Sequence, residues 1–442
     1  MLRPSAKFIL NLKDMRLLPL FLVFLFACCS TSPGSASIER TVYVAKNEHG
    51  YTLMRNSLPY KIKGAAGSAA YIESLAKAGA NTIRVYDTIN LKSVLDKALA
   101  NNLTVAVDIP LATYQSMYYK SQSARDSAML NITNLVNAHK NHPALLFWML
   151  GNEIQFPSDY FLDQSERSFV SFYNSLVKKI HELDPNHPVS SSIASIAKKR
   201  IFSLLRKSPD LDFISINIFG QIHEMESQIS KLSPFWDGPF LISEWGPEGP
   251  WAPRKTLWNA TIEYSDAQKA KEIETIYTKY LNLFPNRNLG DLVFYWGEKQ
   301  ESTHTWFSLL DAKGRISNMA HCVANYFQSP TADLDKLPRI ENMLLNTKNS
   351  YANIILEPKS LCSAMVEYQP IDSLKITWEI VEEGWNVVSD QAEKKPRSFL
   401  LAENSDCIEF KAPQQKGPYR LFVYLYDTNQ NFTTANIPFY VL

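Results

Sequence analysis

The sequence has no large excess of charge of either sign. Lysine and arginine number 45 and aspartate and glutamate 44 in 442 residues, so the formal net charge is +1. A protein that binds nucleic acid through its surface field carries a basic excess, which this chain does not have. We therefore expect no nucleic-acid partner.

Cysteine is scarce, and its spacing does not form the pattern of a metal site. Cys28 and Cys29 are adjacent near the N-terminus, whereas Cys322, Cys362 and Cys407 are far apart. No three side chains have the spacing and type of a catalytic metal site, so we expect no metal and no other cofactor. Cys362 and Cys407 either pair as a disulfide or remain two buried thiols.

Signatures of two other enzyme classes are also missing. No Gly-x-Ser-x-Gly nucleophile elbow, the mark of many serine hydrolases, occurs near a predicted strand end. A Gly-rich phosphate-binding turn has only a weak match at residues 64–67. The sequence therefore supports neither serine-triad nor dinucleotide chemistry.

One apolar run stands near the N-terminus, and no later run is long enough to span a bilayer. It covers residues 17–27 and follows four basic side chains, which suits the core of a signal peptide. It ends at Cys28 in a stretch that resembles a bacterial lipoprotein box. We predict a signal peptide over 1–27, lipidation of Cys28, and a tether over 28–38. The protein would then be exported to the cell envelope and held to the membrane there. An ordinary secretory signal with a chance cysteine is the alternative.

The middle of the chain alternates predicted strands with predicted helices. A hairpin over residues 41–60 comes first. Eight short apolar runs with strand character follow at residues 60–64, 82–86, 103–108, 145–150, 189–193, 213–217, 240–243 and 292–296. Amphipathic helical stretches separate most of these runs, so we predict an α/β fold, a (β/α)₈ TIM barrel over residues 39–331 that includes the hairpin. A doubly wound open sheet is the alternative.

The C-terminal part of the chain has a different pattern. From about residue 352 the segments are short, β-rich and separated by turns, without helical periodicity. We predict a linker over 332–349 and a small immunoglobulin-like β-sandwich over 350–442. We expect the sandwich to be a spacer or a stabiliser. Trp378 or Trp385 could bind carbohydrate, but both positions also suit a sandwich core.

Two carboxylates leave buried strands at the C-terminal end of the predicted barrel, where barrel active sites lie. Glu153 follows the fourth predicted strand and Glu244 follows the seventh. A carboxylate at the end of a buried strand is costly unless it is paired or used. Two carboxylates that face each other across one bowl suit glycoside hydrolysis, in which one protonates the leaving oxygen and the other attacks carbon or activates water.

The sequence around both glutamates resembles the catalytic barrel of glycoside hydrolase family 2, among the clan A retaining enzymes. The resemblance rests on the runs NHPALLFWMLGNE at 141–153, PFLISEWG at 239–246 and GANTIRVY at 79–86, and it covers about residues 55–325. It implies a retaining hydrolase that acts on β-linked glycans, with an oligosaccharide or polysaccharide substrate. A β-glucanosyltransferase of the same mechanism and a catalytically inactive glycan-binding surface lipoprotein are the alternatives.

The resemblance also implies a role for each matching residue. Glu153 would be the acid/base, and Glu244 would be the nucleophile that forms a glycosyl-enzyme ester. Asn152 would hydrogen-bond the sugar 2-hydroxyl, and Arg84 would orient Glu244 by a charge-assisted hydrogen bond. Trp296 would be the apolar floor under the reacting sugar.

Two features depart from the family pattern. Family 2 enzymes normally carry two β-sandwich domains before the barrel, and the short stretch before the first predicted strand leaves no room for them. Clan A enzymes often place a tyrosine near the end of the sixth strand to assist the nucleophile. Residues 215–219 contain none, so we expect Asn217, or a tyrosine from elsewhere, to take its place.

Loops after the seventh and eighth predicted strands are candidates for substrate contact. Residues 245–258 are rich in proline, glycine and tryptophan and exceed the length of a minimal loop. We predict a substrate-side wall that includes Trp245, with Trp251 or Trp258 as a sugar-stacking platform; a loop pinned by buried tryptophan is the alternative. Glu298 begins the next loop and is predicted to reach sugar hydroxyls.

Overall fold

The computed structural model describes residues 40–112, 116, 121–330, 332–371, 373–383 and 396–442. The predicted signal peptide, the tether with Cys28, and Trp385 lie outside the described residues. Within these ranges no helix has the length and apolar character needed to cross a membrane.

Eight parallel strands close into a barrel, and each is hydrogen-bonded to its neighbours in chain order. The strands are β4 (Ile62–Gly67), β5 (Thr82–Val85), β6 (Thr104–Ile109), β7 (Leu145–Leu150), β8 (Val189–Ala194), β9 (Phe213–Asn217), β10 (Phe240–Trp245) and β11 (Asn288–Trp296). The helices that follow them are α1 (Ile72–Lys77), α2 (Leu91–Ala100), α3 (Gln122–His139), α4 (Gln164–Leu183), α5 (Lys198–Lys207), α6 (Met225–Leu232), α7 (Asp266–Lys279) and α8 (Asn318–Tyr326). The (β/α)₈ prediction is confirmed, and the open-sheet alternative is excluded.

The helices begin where local sequence satisfies their free N–H groups, as α7 illustrates. The Ser265 hydroxyl accepts from the Gln268 backbone N–H, and the Gln268 side chain accepts from the Ser265 backbone N–H. This capping box satisfies two donors that the helix itself cannot. Ala270, Ile273 and Ile276 then form the face of α7 that packs in the layer between strands and helices.

The hairpin, formed by β1 (Val42–Asn47), β2 (Gly50–Arg55) and β3 (Leu58–Pro59), covers the N-terminal end of the barrel. The backbone N–H of Val42 donates to the carbonyl of Asn186, just before β8, and the backbone N–H of Tyr51 donates to that of Asn286, just before β11. Val42 also packs with side chains from several barrel strands. The opposite end, where the strands finish, is the end that barrel enzymes use for chemistry.

Two sheets that are mainly antiparallel form the C-terminal part of the structure. The strands are β12 (Ile316–Ser317), β13 (Ile340–Leu345), β14 (Ile354–Leu356), β15 (Leu361–Tyr368), β16 (Lys375–Glu382), β17 (Ser398–Glu403), β18 (Cys407–Lys411), β19 (Gly417–Tyr426) and β20 (Asn431–Val441). One sheet has the order β13-β15-β18, and the other has β12-β20-β19-β16-β17 with β14 also on β20. The β-sandwich prediction is confirmed. The linker boundary is wrong, because β13 lies within 332–349 and pairs with β15.

Other expectations for the sandwich can be checked on individual residues. Trp378 is fully buried and donates its indole N–H to the carbonyl of Ser405, so it belongs to the sandwich core and not to a binding surface. Cys362 is buried and Cys407 is exposed, and both are free. They lie on paired strands but three positions out of register, because Cys407 stands opposite Met365. The disulfide alternative is therefore excluded.

Barrel and sandwich are joined through β12, which immediately precedes α8. Ile316 and Ser317 pair in parallel with Asn431 and Phe432 at the start of β20. The larger sheet of the sandwich thus includes two residues of the barrel chain, and its main-chain hydrogen bonds cross the boundary.

Candidate active site

Arg84 lies at the centre of a polar network at the C-terminal ends of the strands. Its Nε and Nη2 donate to the two carboxylate oxygens of Asp108 at 3.0 and 2.7 Å, and its Nη1 donates to Glu244 Oε1 at 2.8 Å. Burial alone would lower the pKa of Arg84, but the negative charges of Asp108 and Glu244 outweigh burial and raise it. The guanidinium is therefore a permanent cation within the barrel.

Glu244, the last residue but one of strand β10, is buried, but only one of its two carboxylate oxygens accepts a hydrogen bond from a described residue. Its Oε1 accepts from Arg84 and from the Tyr86 hydroxyl, each at 2.8 Å, and no described residue donates to its Oε2. Burial raises the pKa of Glu244 to about 8; Arg84 opposes this shift, and the charge of Glu153 adds to it. One carboxylate oxygen is thus held in place while the other is left for a reacting atom.

Tyr86 provides the tyrosine that the sixth strand lacks. It directly follows β5. Of the two substitutes expected from the sequence, Asn217 and a tyrosine from elsewhere in the barrel, Tyr86 is the second. Its ring stands 4.7 Å from the Arg84 guanidinium. Burial and the negative charge of Glu244 raise the pKa of Tyr86, so its hydroxyl remains a proton donor to the Glu244 carboxyl group.

Glu153 sits on the opposite rim in a sharp turn that ends β7. Gly151 and Glu153 both have positive φ, at 80° and 49°. A glutamate in this left-handed region is strained, and such strain is retained where the surroundings fix it. The backbone N–H of Glu153 donates to Ser192 Oγ, and its Oε1 accepts from Asn217 Nδ2 at 2.8 Å. The Glu153 side chain is exposed, so its carboxyl group can exchange protons with a leaving group or with water.

Two asparagines connect the glutamates. Asn152 Oδ1 accepts from Arg84 Nη2, from Ser192 Oγ and from Asn217 Nδ2 at 2.7, 2.7 and 3.1 Å. Because those donors occupy the oxygen, and no described residue accepts from Asn152 Nδ2, this amide N–H group is available to donate to a ligand. Asn217 Oδ1 in turn accepts from Ser243 Oγ at 2.7 Å and from Arg84. Its amide therefore couples the two carboxylates through Arg84.

An aromatic wall packs beside Tyr86, and we define it as Phe219, Trp251, Phe294 and Phe307. The ring of Phe219 lies 5.1 to 5.7 Å from the other three rings. Trp251 is 60% exposed and forms the outer edge of the wall. A Cβ at Gly249 would lie 2.1 Å from the Trp251 ring, so only glycine permits this ring position. Trp251 therefore stands where a sugar face could stack, whereas Trp258 packs against Tyr440 of the sandwich.

Two predicted substrate contacts are wrong. Trp245 is fully buried and donates its indole N–H to Asp291. It follows Glu244 on the strand, so alternation turns it outward toward the helices. Trp296 is also buried in that outer layer and donates to Ser74 of α1. A bulge in β11 turns it away, because Phe294 and Trp296 stand opposite consecutive residues of β4.

Glu298 is placed away from the two catalytic candidates. It is half-buried and lines a cavity of about 190 Å³ together with His304 and with Glu379 and Tyr424 of the sandwich. The structure thus brings together Glu153, Glu244, Arg84, Asn152 and Asn217, with Trp251 at the edge. It does not bring Glu298 into that network.

Several functional residues were missed by the sequence reasoning. Asp108 carries the same signal that identified Glu153 and Glu244, a carboxylate within the last residues of a buried strand. Tyr86 ends one of the motifs that carried the family resemblance. Of the aromatic wall, only Trp251 was predicted; Phe219, Phe294 and Phe307 gave no comparable signal, because they come from three separate segments. The described residues include no cluster of three or more His, Cys, Asp or Glu able to hold a metal ion.

A comparison with known protein families identifies the barrel. Residues 85–249 match the family model for the TIM barrel domain of glycosyl hydrolases family 2. This segment contains both glutamates and both asparagines of the network. No curated protein matches the chain. The resemblance of the barrel to family 2 is confirmed.

Solved structures of low sequence identity share the fold. A Bacteroides uniformis β-glucuronidase 2 is 14% identical with a TM-score of 0.51, and the alignment covers 91% of this chain and 48% of that one. A Bifidobacterium dentium β-glucuronidase is 14% identical with a TM-score of 0.52 over 66% and 50% of the two chains. A β-galacturonidase from Eisenbergiella tayi is 16% identical with a TM-score of 0.50 over 65% and 54%. The chain spans about half the length of these proteins.

Proposed function

We propose that this chain, whose barrel matches that of glycoside hydrolase family 2, is a retaining glycoside hydrolase that cleaves β-linked glycans. The observation that best supports the proposal is the contrast between the two carboxyl groups. Glu244 is buried and held at one oxygen, whereas Glu153 is exposed. Carboxyl groups in such different surroundings can divide the roles of nucleophile and acid/base.

In the first step, Glu244 Oε2 attacks the anomeric carbon while the bond from that carbon to the leaving oxygen breaks. Glu153 gives its proton to the leaving oxygen, so the aglycone departs as an alcohol. The product is a glycosyl ester on Glu244. Arg84 and Tyr86 hold Oε1 throughout, and this hold keeps Oε2 aimed at carbon.

In the second step, the Glu153 carboxylate removes a proton from water, and the water oxygen attacks the anomeric carbon. The ester bond breaks, the sugar leaves with its original configuration, and Glu244 is again a carboxylate. Asn152 Nδ2 would donate to the sugar 2-hydroxyl in both steps. An acceptor sugar in the place of water would make the same site a glycosyltransferase.

The substrate class follows less directly from the site. The similar solved structures are named as β-glucuronidases and a β-galacturonidase, so hexuronides belong among the first substrates to test. The Trp251 ring, which is 60% exposed, offers an apolar surface of the kind that sugar rings contact, and the Phe219 ring packs edge-on against it. We also propose an exported, lipid-anchored protein, on the basis of the apolar run that ends at Cys28. Radiolabelled palmitate should then label the wild type and not Cys28→Ala.

The test of the catalytic proposal is intact-protein mass spectrometry with mechanism-based inactivators. The panel consists of 2-deoxy-2-fluoroglycosyl fluorides and cyclophellitol aziridines in the gluco, galacto, glucurono and galacturono configurations. We expect a mass increase of a single sugar unit in the wild type, mapped to Glu244. The variant Glu244→Gln should take no label, and Glu298→Gln, which alters another carboxyl group at this end of the barrel, should still be labelled at Glu244.

Two results would contradict the proposal. A label on a residue other than Glu244 would reject the assignment of the nucleophile. No label from any sugar, with glycan binding still measurable, would favour the glycan-binding alternative.

A further inference from the structure

A second buried ion pair lies between barrel and sandwich, apart from the Arg84 network. Lys269, on α7, donates from Nζ to Glu263 Oε1 at 2.8 Å, and the two side chains are only 2% and 1% exposed. Removing two charges from water is costly unless their remaining donors and acceptors are satisfied. The other partners of this pair therefore indicate what the pair holds in place.

Most of those partners lie in the loop that follows β11. Lys269 Nζ also donates to the carbonyls of Thr305 and Trp306 at 2.6 and 3.1 Å. The hydroxyls of Thr303 and Thr305 donate to Glu263 at 2.7 and 2.8 Å. The ion pair thus binds three of the four residues from 303 to 306, and the next residue, Phe307, belongs to the aromatic wall.

The same loop is tied to the segment that follows the nucleophile. The Trp306 indole N–H donates to the carbonyl of Glu248 at 2.9 Å. Residues 246–251 carry Trp251, whose ring lies 6.3 Å from that of Phe307. Both edges of the wall therefore depend on the position of residues 303–307.

The sandwich completes the network from the other side. Asn436 of β20 donates from Nδ2 to Glu263 Oε2 at 2.8 Å and accepts on Oδ1 from Arg420 of β19 at 2.7 Å. Arg420 also donates to the carbonyl of Thr261 at 2.8 Å. Tyr424 of β19 contacts His304 at 2.6 Å. The sandwich therefore contacts the loop itself and the Glu263 side of the ion pair.

We infer that the Glu263–Lys269 pair, completed by Asn436 of the sandwich, positions residues 303–307 and with them the aromatic wall. The sandwich is then part of the sugar-binding site and not only a spacer or stabiliser. This inference rests on the proposed function. Glu263, Lys269 and Asn436 are positioning residues, since they act through Phe307 and Trp306.

The backbone of residues 303–307 explains why the loop needs the Glu263–Lys269 pair to hold it. Residues 303–307 are buried, except for the half-buried His304, and lie outside any helix or strand, so their carbonyl groups need partners that regular structure does not provide. Lys269 supplies two of these partners. A wall held in one arrangement before substrate arrives spares the ordering cost on binding, and its loss should weaken binding more than it slows bond breaking.

The test compares two buried asparagines of β20. Asn436→Ala removes the contact to Glu263. The control Asn431→Ala removes another buried contact between sandwich and barrel, in which Asn431 Oδ1 lies 2.8 Å from His321 Nε2 of α8. In the loop itself, Thr303→Val removes the hydroxyl that donates to Glu263, and Thr303→Ser keeps it. Each variant is treated with the fluoroglycosyl fluoride that labels the wild type, and hydrogen exchange of residues 303–307 is followed by mass spectrometry.

We expect Asn436→Ala and Thr303→Val to raise the inactivation constant KI about tenfold, since each loses a hydrogen bond to a charged group. The rate at saturation, kinact, should stay within about twofold of the wild type, because the reacting groups are untouched. Exchange at 303–307 should be faster in these two variants. Asn431→Ala and Thr303→Ser should match the wild type in both measurements.

Unchanged KI and unchanged exchange in Asn436→Ala and Thr303→Val would overturn the inference. The inference would also be overturned if Asn431→Ala changed both KI and hydrogen exchange as much as Asn436→Ala does. If the wild type takes no label, the proposed function fails, and the exchange comparison alone decides whether the sandwich positions the loop. If Asn436→Ala does not fold, the Thr303 pair decides it.

Discussion

Two buried glutamates within this molecule have opposite surroundings. Glu263 accepts four side-chain hydrogen bonds, two on each oxygen, from Lys269, Thr303, Thr305 and Asn436. Glu244 accepts two, both on Oε1. Burial by itself favours a higher pKa for both groups. For Glu263 the positive charges of Lys269 and Arg420 outweigh burial, so the pKa of Glu263 is lowered. The pKa of Glu244 is raised to about 8.

The difference shows that burial does not by itself distinguish a structural carboxylate from a reactive one. A carboxylate whose oxygens are all satisfied has little to gain from a ligand, and it fixes the groups around it. A buried carboxylate with an unpartnered oxygen is unstable as an anion and gains most when that oxygen forms a bond. By this criterion we assign Glu263 to holding the fold and, under the proposed mechanism, Glu244 to the chemistry.

The largest expected effect is the loss of catalysis in Glu244→Gln. The amide keeps the shape of the side chain but has no nucleophilic carboxylate, so turnover should fall by on the order of 10⁴-fold or more. The assay is hydrolysis of the aryl glycoside whose sugar labels the wild type. Glu263→Gln is the matched control, because it makes the same change in the other buried carboxylate. Comparable loss of turnover per folded molecule in both variants would remove the distinction between the two sites.

Glu263→Gln should show the reverse, a large loss of stability. Removing one partner of a buried ion pair leaves Lys269 charged and unpaired, which costs roughly 3–5 kcal/mol. Urea unfolding followed by circular dichroism measures the change in the free energy of unfolding. The double variant Glu263→Gln/Lys269→Met should recover part of the loss, because it removes the unpaired charge. A single variant as stable as the wild type would show that the pair does not stabilise the fold.

A smaller effect is expected for Tyr86→Phe, which removes one of the two donors to Glu244. A hydrogen bond to a charged group contributes ~1.5–3 kcal/mol, so activity at neutral pH should fall roughly 10-fold to 100-fold. Because the lost donor stabilised the anion, the pKa of Glu244 should rise further, and the acidic limb of kcat/KM should move to higher pH. In the wild type that limb should lie near the pKa of Glu244, about 8. A limb that stays in place in the variant would argue against this hydrogen bond.

The sequence predicted the barrel and the sandwich because their patterns are local. Strands such as 145–150 and 213–217 agree with the predicted ranges to the residue, since the first is a continuous apolar run and the second is a short, mostly apolar segment with two isoleucines and one phenylalanine. The polar network was also largely within reach, because strand ends converge at one face of a barrel. Asp108 and Tyr86 could have been included by the same reasoning.

The errors occurred where the direction of a side chain depends on more than sequence spacing. Trp296 would face the site if β11 alternated regularly, but the bulge after Phe294 reverses its direction. All of β13 was assigned to a linker, because a strand with three buried positions has a weak pattern of its own. The Glu263 network joins residues of barrel and sandwich that are far apart in the chain, and no local pattern predicts such contacts.

The smallest effect is the pH dependence of stability, and it should have opposite signs for the two glutamates. The folded-state pKa of Glu244 lies near 8, above its usual 4.5, so the folded protein keeps a proton that the unfolded chain releases. The wild type should therefore lose stability as pH rises from the usual pKa of glutamate toward about 8, and Glu244→Gln should gain a few degrees in Tm relative to it.

The pKa of Glu263 is lowered, so its contribution to stability is present above the usual pKa of glutamate and is lost as pH falls. The deficit of Glu263→Gln should therefore be largest at neutral pH and shrink in acid. Thermal unfolding of the wild type and both variants from about pH 4 to about pH 9 at constant ionic strength measures both trends. Parallel curves of Tm against pH for the two variants would contradict the difference in electrostatic environment that the hydrogen bonds of the two carboxylates indicate.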